Sequence, residues 1–108
     1  MADASIVEGV RKYLRALQEK GMAVAFGVIF GSQQTGRATP DSDIDLLVVS
    51  PRFDGRRNRD DIDLLWHTTA WTDNRIEPIP CGERQWVEDD ASAIIEVARR
   101  EGERVSLN

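Results

Sequence analysis

The feature that most constrains the fold is an almost unbroken apolar run from Met22 to Phe30, bounded by Gly21 and Gly31. The run is short and contains several β-branched residues, so it is typical of a buried strand rather than of a helix. A second apolar run at residues 44–49 begins with alternating Asp and apolar residues and predicts a second strand. These two runs predict a small sheet at the centre of the fold.

The remaining segments predict helices and two short extended pieces. Apolar residues recur at spacings of three and four from Ile6 to Leu17, which indicates an amphipathic helix at residues 5–20. Ser5 and Glu8 have capping-box spacing. Further helices are expected at about 59–68 and 90–100, and extended segments at 75–79 and 105–107, with Pro78 favouring a sheet edge. The order predicts one α/β (α+β) domain over residues 1–108, with helices packed on a small mixed sheet.

Composition excludes several classes of protein. The 108 residues include 19 acidic and 14 basic side chains, a formal net charge of −5, which disfavours non-specific binding to nucleic acid. No apolar run approaches the ~20 residues of a membrane span, and the first residues lack the features of a signal peptide. Cys81 is the single cysteine, so an internal disulfide is impossible. We expect a cytoplasmic protein that does not bind membranes.

Asp43 and Asp45 stand two residues apart at the start of the second predicted strand. Alternate residues of a strand leave from the same face, so the two side chains are about 6.6 Å apart along the backbone. Carboxylates at this spacing can share one hard cation or bind two cations roughly 3.5–4 Å apart. Because the chain has one His and one Cys, oxygen ligands are expected, which favour Mg²⁺ or Mn²⁺ over zinc. Two aspartates at the entry to a strand can equally be a solvated cap.

Gly31 and Ser32 directly follow the first predicted strand. Glycine permits close approach of the backbone, and backbone N–H groups and a serine hydroxyl bind phosphate oxygens. A phosphate-binding turn beside paired carboxylates is typical of metal-assisted phosphoryl or nucleotidyl transfer. Gly31, Gly36 and Arg37 imitate a Walker A loop, but Arg37-Ala38 replaces the required Lys-Ser/Thr, so we reject that assignment.

Together these residues resemble the minimal nucleotidyltransferases of the DNA polymerase-β superfamily. The resemblance rests on Gly31-Ser32, on Gly36 and on Ser42-Asp43-Ile44-Asp45-Leu46-Leu47-Val48, which match the family pattern G-S-x-x-x-G, a spacer and S-D-x-D-L-x-V. It continues through Arg75-Ile76-Glu77-Pro78-Ile79-Pro80, where family members place a third carboxylate. The resemblance covers most of the chain, from about residue 6 to residue 107.

The resemblance implies a nucleotidyltransferase core in which Asp43, Asp45 and Glu77 are the catalytic residues and the metal ligands. The three carboxylates would hold two Mg²⁺ ions, with Mn²⁺ as a substitute. Glu77 would complete one metal site and act as, or orient, the general base for an acceptor hydroxyl. Many family members have Asp where Glu77 stands, and a strand-end glutamate can also be merely solvated.

For the nucleotide, the resemblance implies that Gly31 and Ser32 hold the β- and γ-phosphates of an NTP, with ATP preferred. Arg37 is expected to contact a phosphate as well, unless it is an ordinary surface residue. The reaction would transfer NMP, AMP when ATP is the donor, to a hydroxyl of a protein or a small molecule and release pyrophosphate.

The resemblance also implies partners. Minimal nucleotidyltransferases occur beside small helical proteins of the HEPN type in toxin–antitoxin-like modules, where a partner tyrosine can be modified with AMP. A helical partner, or a second copy in a homo-oligomer, would complete the site. The alternative is a non-catalytic antitoxin scaffold that neutralises its partner by contact. A third interpretation is a metal-binding or nucleotide-sensing domain without transfer.

Other side chains offer weaker candidates. His67 and Cys81 lie in no recognisable nucleophile motif. Trp71 and Trp86 can stack on a base, line an interface or pack in the core. The basic cluster after the second strand either attracts a triphosphate or forms a solvated helix entrance with its neighbouring aspartates; it comprises Arg52, Arg56, Arg57 and Arg59.

Overall fold

The computed structural model describes residues 2–31 and 42–108 of the chain. The described residues form helices α1 (Ala4–Glu19), α2 (Arg59–Trp71), α3 (Glu83–Glu88) and α4 (Ala93–Glu101). They also form strands β1 (Phe26–Phe30), β2 (Ile44–Val49), β3 (Ile76–Cys81) and β4 (Glu103–Val105), with a short 3-10 helix at Pro51–Phe53. None of these helices is both long enough and apolar enough to cross a membrane.

The four strands form one mixed sheet in the order β3-β2-β1-β4. β1 is antiparallel to both β2 and β4, whereas β2 and β3 are parallel. The mixed sheet predicted from the sequence is therefore confirmed. β3 lies at an edge, where Pro78 and Pro80 can be accommodated because an edge strand needs fewer backbone N–H donors.

Helices cover both faces of the sheet. Ile44, Leu46 and Val48 of β2 contribute to one apolar cluster, which they share with α1 and α2. Leu47 and Val49 point to the opposite face and belong to a second cluster that includes buried residues of α4. This alternation also determines the face on which Asp45 lies, because Asp45 and Leu47 are two residues apart.

The start of α1 differs from the predicted capping box. Asp3 is the N-cap, and its side chain accepts a hydrogen bond from the Ser5 backbone N–H at 3.2 Å. Ser5 is already inside the first turn, and the Glu8 carboxylate pairs with Arg11 instead. The predicted exit is confirmed, because Gly21 follows the helix with φ of +96°, a conformation that favours glycine.

Helix α3 was not predicted from the sequence, and its N-terminal cap explains why. Gly82 at the N-cap position has no side chain, so the capping acceptor comes from Asp54, far back in the chain. The Asp54 carboxylate accepts from the backbone N–H groups of Arg84 at 3.1 Å and Gln85 at 3.3 Å. A Cβ atom at position 82 would overlap the Asp54 carboxylate, so glycine is required for this close approach.

Candidate active site

Three carboxylates meet where β2 and β3 begin. Asp43 lies one residue before β2, Asp45 is the second residue of β2, and Glu77 is the second residue of β3. The parallel register places Asp45 directly beside Glu77, and neighbouring strands are about 4.8 Å apart. The structure therefore brings together the three acidic residues that the sequence predicted as one site.

The carboxylates contact one another. The Glu77 side chain is hydrogen bonded to those of both Asp43 and Asp45. Asp43 and Glu77 are exposed, whereas Asp45 is half-buried. Their closeness places negative charge from three side chains at one point, where a cation would reduce the repulsion.

The pKa values of two of these groups reflect the crowding of negative charge. The charge of Asp43 is the largest cause that raises the pKa of Glu77, followed by desolvation and the charge of Asp45. Desolvation raises the pKa of Asp45, and the charge of Asp43 adds to this, while the hydrogen bond to Glu77 lowers it. The raised pKa values of both groups therefore reflect the closeness of the carboxylates and the desolvation of their surroundings.

We expect the cluster to destabilise the metal-free protein at neutral pH. A carboxyl group whose folded pKa is raised contributes stability below its unfolded pKa and loses it as the pH rises through the folded pKa. Glu77→Gln removes one of the interacting charges. In the presence of a chelator, urea unfolding should show that Glu77→Gln is more stable than the wild type at pH 7, with the difference vanishing near pH 3. A Glu77→Gln protein that is less stable at pH 7 would contradict this account.

The backbone at Gly31 lies next to the carboxylate cluster. It follows β1, whose last residue, Phe30, pairs with Asp45. Gly31 has φ of +76°, and a Cβ atom at this position would overlap the Asp45 Oδ2 atom. The predicted proximity of Gly31 to the carboxylates is thus observed. Ser32 and Arg37 lie outside the described residues, so their contacts with a nucleotide stay predictions.

An ion pair that sequence reasoning missed supports the start of β3. Asp73 accepts from the Arg75 backbone N–H at 3.0 Å and from its guanidinium at 3.0 and 2.7 Å. The hydrogen bond from the Arg75 side chain is the main cause that lowers the pKa of Asp73. The backbone carbonyl of Arg75 accepts from Ile44 N at 2.8 Å. The signal in the sequence is Asp two residues before Arg at a strand entrance, a spacing typical of an Asx turn.

The donor set fits a hard divalent cation. Across residues 2–31 and 42–108, no three His, Cys, Asp or Glu side chains are already arranged to hold a metal ion. The Glu77 side chain contacts those of Asp43 and Asp45, and each of the three offers carboxylate oxygens. Oxygen ligands suit Mg²⁺ or Mn²⁺ and are poor ligands for soft metals.

The weaker candidates are not brought to this site. Cys81 is buried in the second apolar cluster, whereas α2, which carries His67, packs on the opposite face. Burial raises the pKa of the Cys81 thiol to about 11, which makes it a poor nucleophile. Trp86 packs edge-to-face on Phe26 with ring centroids 5.6 Å apart. Trp71 is 79% exposed.

Two arginines of the basic cluster after β2 contact other parts of the fold. Arg52 forms an ion pair with Asp61 of α2, with Nη2 and Oδ1 2.6 Å apart. Arg57 donates to the backbone carbonyl of Phe53 and to the Gln85 side chain. These contacts follow the C-terminal end of β2, away from the carboxylates at its start, and they agree with the solvated helix entrance.

Comparison with known proteins agrees with the geometry. A family model described as a nucleotidyltransferase domain matches residues 10–104. No curated protein matches the chain. The matched segment contains the glycine at the end of β1, the paired aspartates and Glu77, and the α+β fold with a mixed sheet is that of a nucleotidyltransferase core. The chain therefore belongs to the nucleotidyltransferase domain family, consistent with a minimal nucleotidyltransferase of the polymerase-β superfamily.

Proposed function

We propose that the protein is a Mg²⁺-dependent nucleotidyltransferase that transfers NMP from an NTP, with ATP preferred, to a hydroxyl of a protein or a small molecule. The observation that supports this most strongly is the pairing of Asp45 with Glu77 across β2 and β3, beside Asp43. Three negatively charged side chains close together repel one another, and this repulsion destabilises the fold unless a cation offsets it. A bound divalent cation would offset it, and the family match supports the class of reaction.

Asp43, Asp45 and Glu77 would hold the metal ions, with Mn²⁺ as a substitute for Mg²⁺. When bound, such ions neutralise the triphosphate and stabilise the attacking and leaving oxygens of an in-line displacement. The acceptor oxygen forms a bond to the α-phosphorus while the bond from that phosphorus to the bridging oxygen breaks. Pyrophosphate leaves, and the proton of the acceptor hydroxyl passes to the Glu77 carboxylate.

The nucleotide would lie beside the turn that follows β1. The close contact of Gly31 with Asp45 supports this position, because it places the backbone of the turn directly beside a carboxylate of the cluster. Ser32 is proposed to bind the β- and γ-phosphates with Gly31, and Arg37 to bind a phosphate. These roles rest on the resemblance of the sequence and on the position of Gly31.

Labelled ATP tests the reaction class. The protein is incubated with Mg²⁺ and a cell extract as the source of acceptors, with ATP labelled in either the α- or the γ-phosphate. We expect the α-label to become attached to an acceptor and the γ-label to appear in pyrophosphate. Attachment of the γ-label would indicate phosphoryl transfer and contradict the proposal, as would α-labelling that persists without the divalent ion.

A second candidate function is contact with a helical HEPN-type partner, with the domain as a scaffold. The exposed Trp71 favours it, because a large exposed aromatic side chain is typical of interfaces. Trp71 borders a groove of about 640 Å³ along α1, whose other lining residues are Glu8, Gly9, Lys12, Arg15, Ala16, Glu19 and Thr72.

The scaffold and the enzyme make different predictions for the partner. If contact alone neutralises the partner, co-purification and neutralisation should survive Asp45→Asn and be lost in Trp71→Asp. If transfer neutralises it, Asp45→Asn should abolish neutralisation. Self-association through the same groove would appear as a homo-oligomer in sedimentation of the isolated chain.

A further inference from the structure

The backbone of β3 alternates between two directions. In a parallel pair of strands, every second residue directs both its N–H and its C=O toward the neighbouring strand, and the residues between direct theirs away from it. The Arg75 carbonyl accepts from Ile44 N at 2.8 Å. At the other end of β3, the Cys81 carbonyl accepts from Ser50 N at 3.0 Å. The odd-numbered residues of this segment therefore face β2, and the even-numbered residues 76, 78 and 80 face away from it.

The outward positions of β3 offer no free N–H group to another strand. β3 is an edge strand of the sheet that the described residues form. Pro78 and Pro80 have no N–H, and the N–H of Ile76 donates to the Asp73 carbonyl at 3.1 Å. The inward positions, where each N–H is needed for the ladder with β2, contain no proline. Both prolines therefore remove a donor from the edge and none from the sheet.

An edge without donors is a poor partner for another strand. Strands add to a sheet edge through main-chain hydrogen bonds given in both directions. A strand that approached this edge could donate to its carbonyls but would receive nothing in return, and its own carbonyls would lose contact with water without gaining a partner. Two copies of β3 placed side by side would set carbonyl against carbonyl.

Strand addition at this edge would affect Glu77. The Glu77 side chain is exposed, and Glu77 lies between Ile76 and Pro78 of the edge strand. On the inner side, Asp45 is its neighbour across the ladder. An added strand would place a second neighbour on the open side, at a spacing of about 4.8 Å, and would cover part of the carboxylate.

We propose that Pro78 and Pro80 protect the open edge of β3 against strand addition by a second copy of this chain, and so keep Glu77 accessible from that side. Protection of this kind acts on the backbone, so it operates whether or not the carboxylates bind a metal. It goes beyond the proposed function, because it concerns which contacts the sheet excludes.

Replacing both prolines with valine restores the outward N–H groups with side chains that suit a strand. In an antiparallel pair of copies centred on position 78, each copy can then donate from position 78 to position 78 of the other, and from position 80 to the Ile76 carbonyl. Sedimentation velocity over a series of concentrations compares Pro78→Val/Pro80→Val with the wild type. We expect the double variant to self-associate at least about tenfold more tightly, because several backbone hydrogen bonds form together.

Hydrogen exchange shows whether the copies associate through this edge. The restored amides at positions 78 and 80 serve as probes and are followed by ¹⁵N NMR. Pairing through the edge should slow their exchange as the protein concentration rises. Tighter association without slower exchange at these positions would place the contact elsewhere and overturn the proposal. A folded double variant that associates no more than the wild type would overturn it as well.

Pro51→Val is the matched control. Pro51 is an exposed proline of the 3-10 helix, so its replacement adds an N–H and an apolar side chain away from the edge. It should sediment as the wild type does, and association equal to that of the double variant would contradict the proposal. Pro80→Val alone, at the less buried of the two positions, serves if the double variant does not fold. It should increase association by a smaller factor, and no increase would overturn the proposal.

Discussion

Asp45→Asn is expected to abolish transfer of the α-label from ATP, with a loss of about 10³-fold or more. Asp45 pairs with Glu77 across β2 and β3 and is the least exposed of the three, so Asn there replaces a proposed anionic ligand of the metal with a neutral amide. A loss of about 4 kcal/mol of metal-based stabilisation of the transition state corresponds to this factor. The rate is measured with labelled ATP and Mg²⁺ at matched protein concentration.

Folding should survive the same substitution. Desolvation and the charge of Asp43 raise the pKa of Asp45, so Asn at this position relieves a cost in the metal-free protein. Asp63→Asn, at an exposed position of α2, is the matched control and should retain full transfer. Retention of wild-type transfer by a folded Asp45→Asn protein would contradict the metal role of the cluster.

Gly31→Ala is expected to damage both stability and the site. A left-handed conformation costs an L-residue about 1–2 kcal/mol, and Gly31 has φ of +76°. The new Cβ atom would also overlap Asp45 Oδ2, and relief of such an overlap typically costs another 1–3 kcal/mol. We expect a loss of about 3 kcal/mol in the free energy of unfolding from urea denaturation, together with loss of Mg²⁺-dependent ATP binding.

Gly21→Ala separates the two effects. Gly21 has φ of +96°, and a Cβ atom at this position would meet nothing within 4 Å, so alanine there carries the backbone cost alone. It should lose about 1 kcal/mol and keep ATP binding. If Gly31→Ala loses no more stability than Gly21→Ala and still binds ATP, the contact between Gly31 and Asp45 has no role in the site.

The elements predicted best from the sequence are those whose signal is local. The apolar stripe of α1 and the run at 44–49 each specify their own structure, and the structure places them at Ala4–Glu19 and Ile44–Val49. Boundaries were less accurate. The last helix begins at Ala93 rather than near residue 90, and α2 continues to Trp71 beyond the predicted end at residue 68. The returning strand is Glu103–Val105, slightly earlier than predicted.

What sequence reasoning missed depends on contacts between distant residues. In helix α3 the N-cap residue is a glycine and Asp54 caps the first N–H groups, so the local signal is reduced to Gln85, whose side chain accepts from the Gly82 N–H. The spacing of Asp43 and Asp45 predicts a shared face, but it does not predict which residue of the next strand stands beside them. Glu77 was predicted for that place only through the family resemblance, and the register of β2 and β3 pairs it with Asp45.

The central claim is that Gly31, Asp43, Asp45 and Glu77 form a site for a metal-bound nucleotide. Calorimetric titration of the protein with ATP, with and without Mg²⁺, beside the Asp43→Asn/Asp45→Asn variant, tests it most directly because no acceptor is needed. We expect binding that requires Mg²⁺ and disappears in the variant. Binding that is unchanged in the variant or without Mg²⁺, or no binding by the wild type, would contradict the claim.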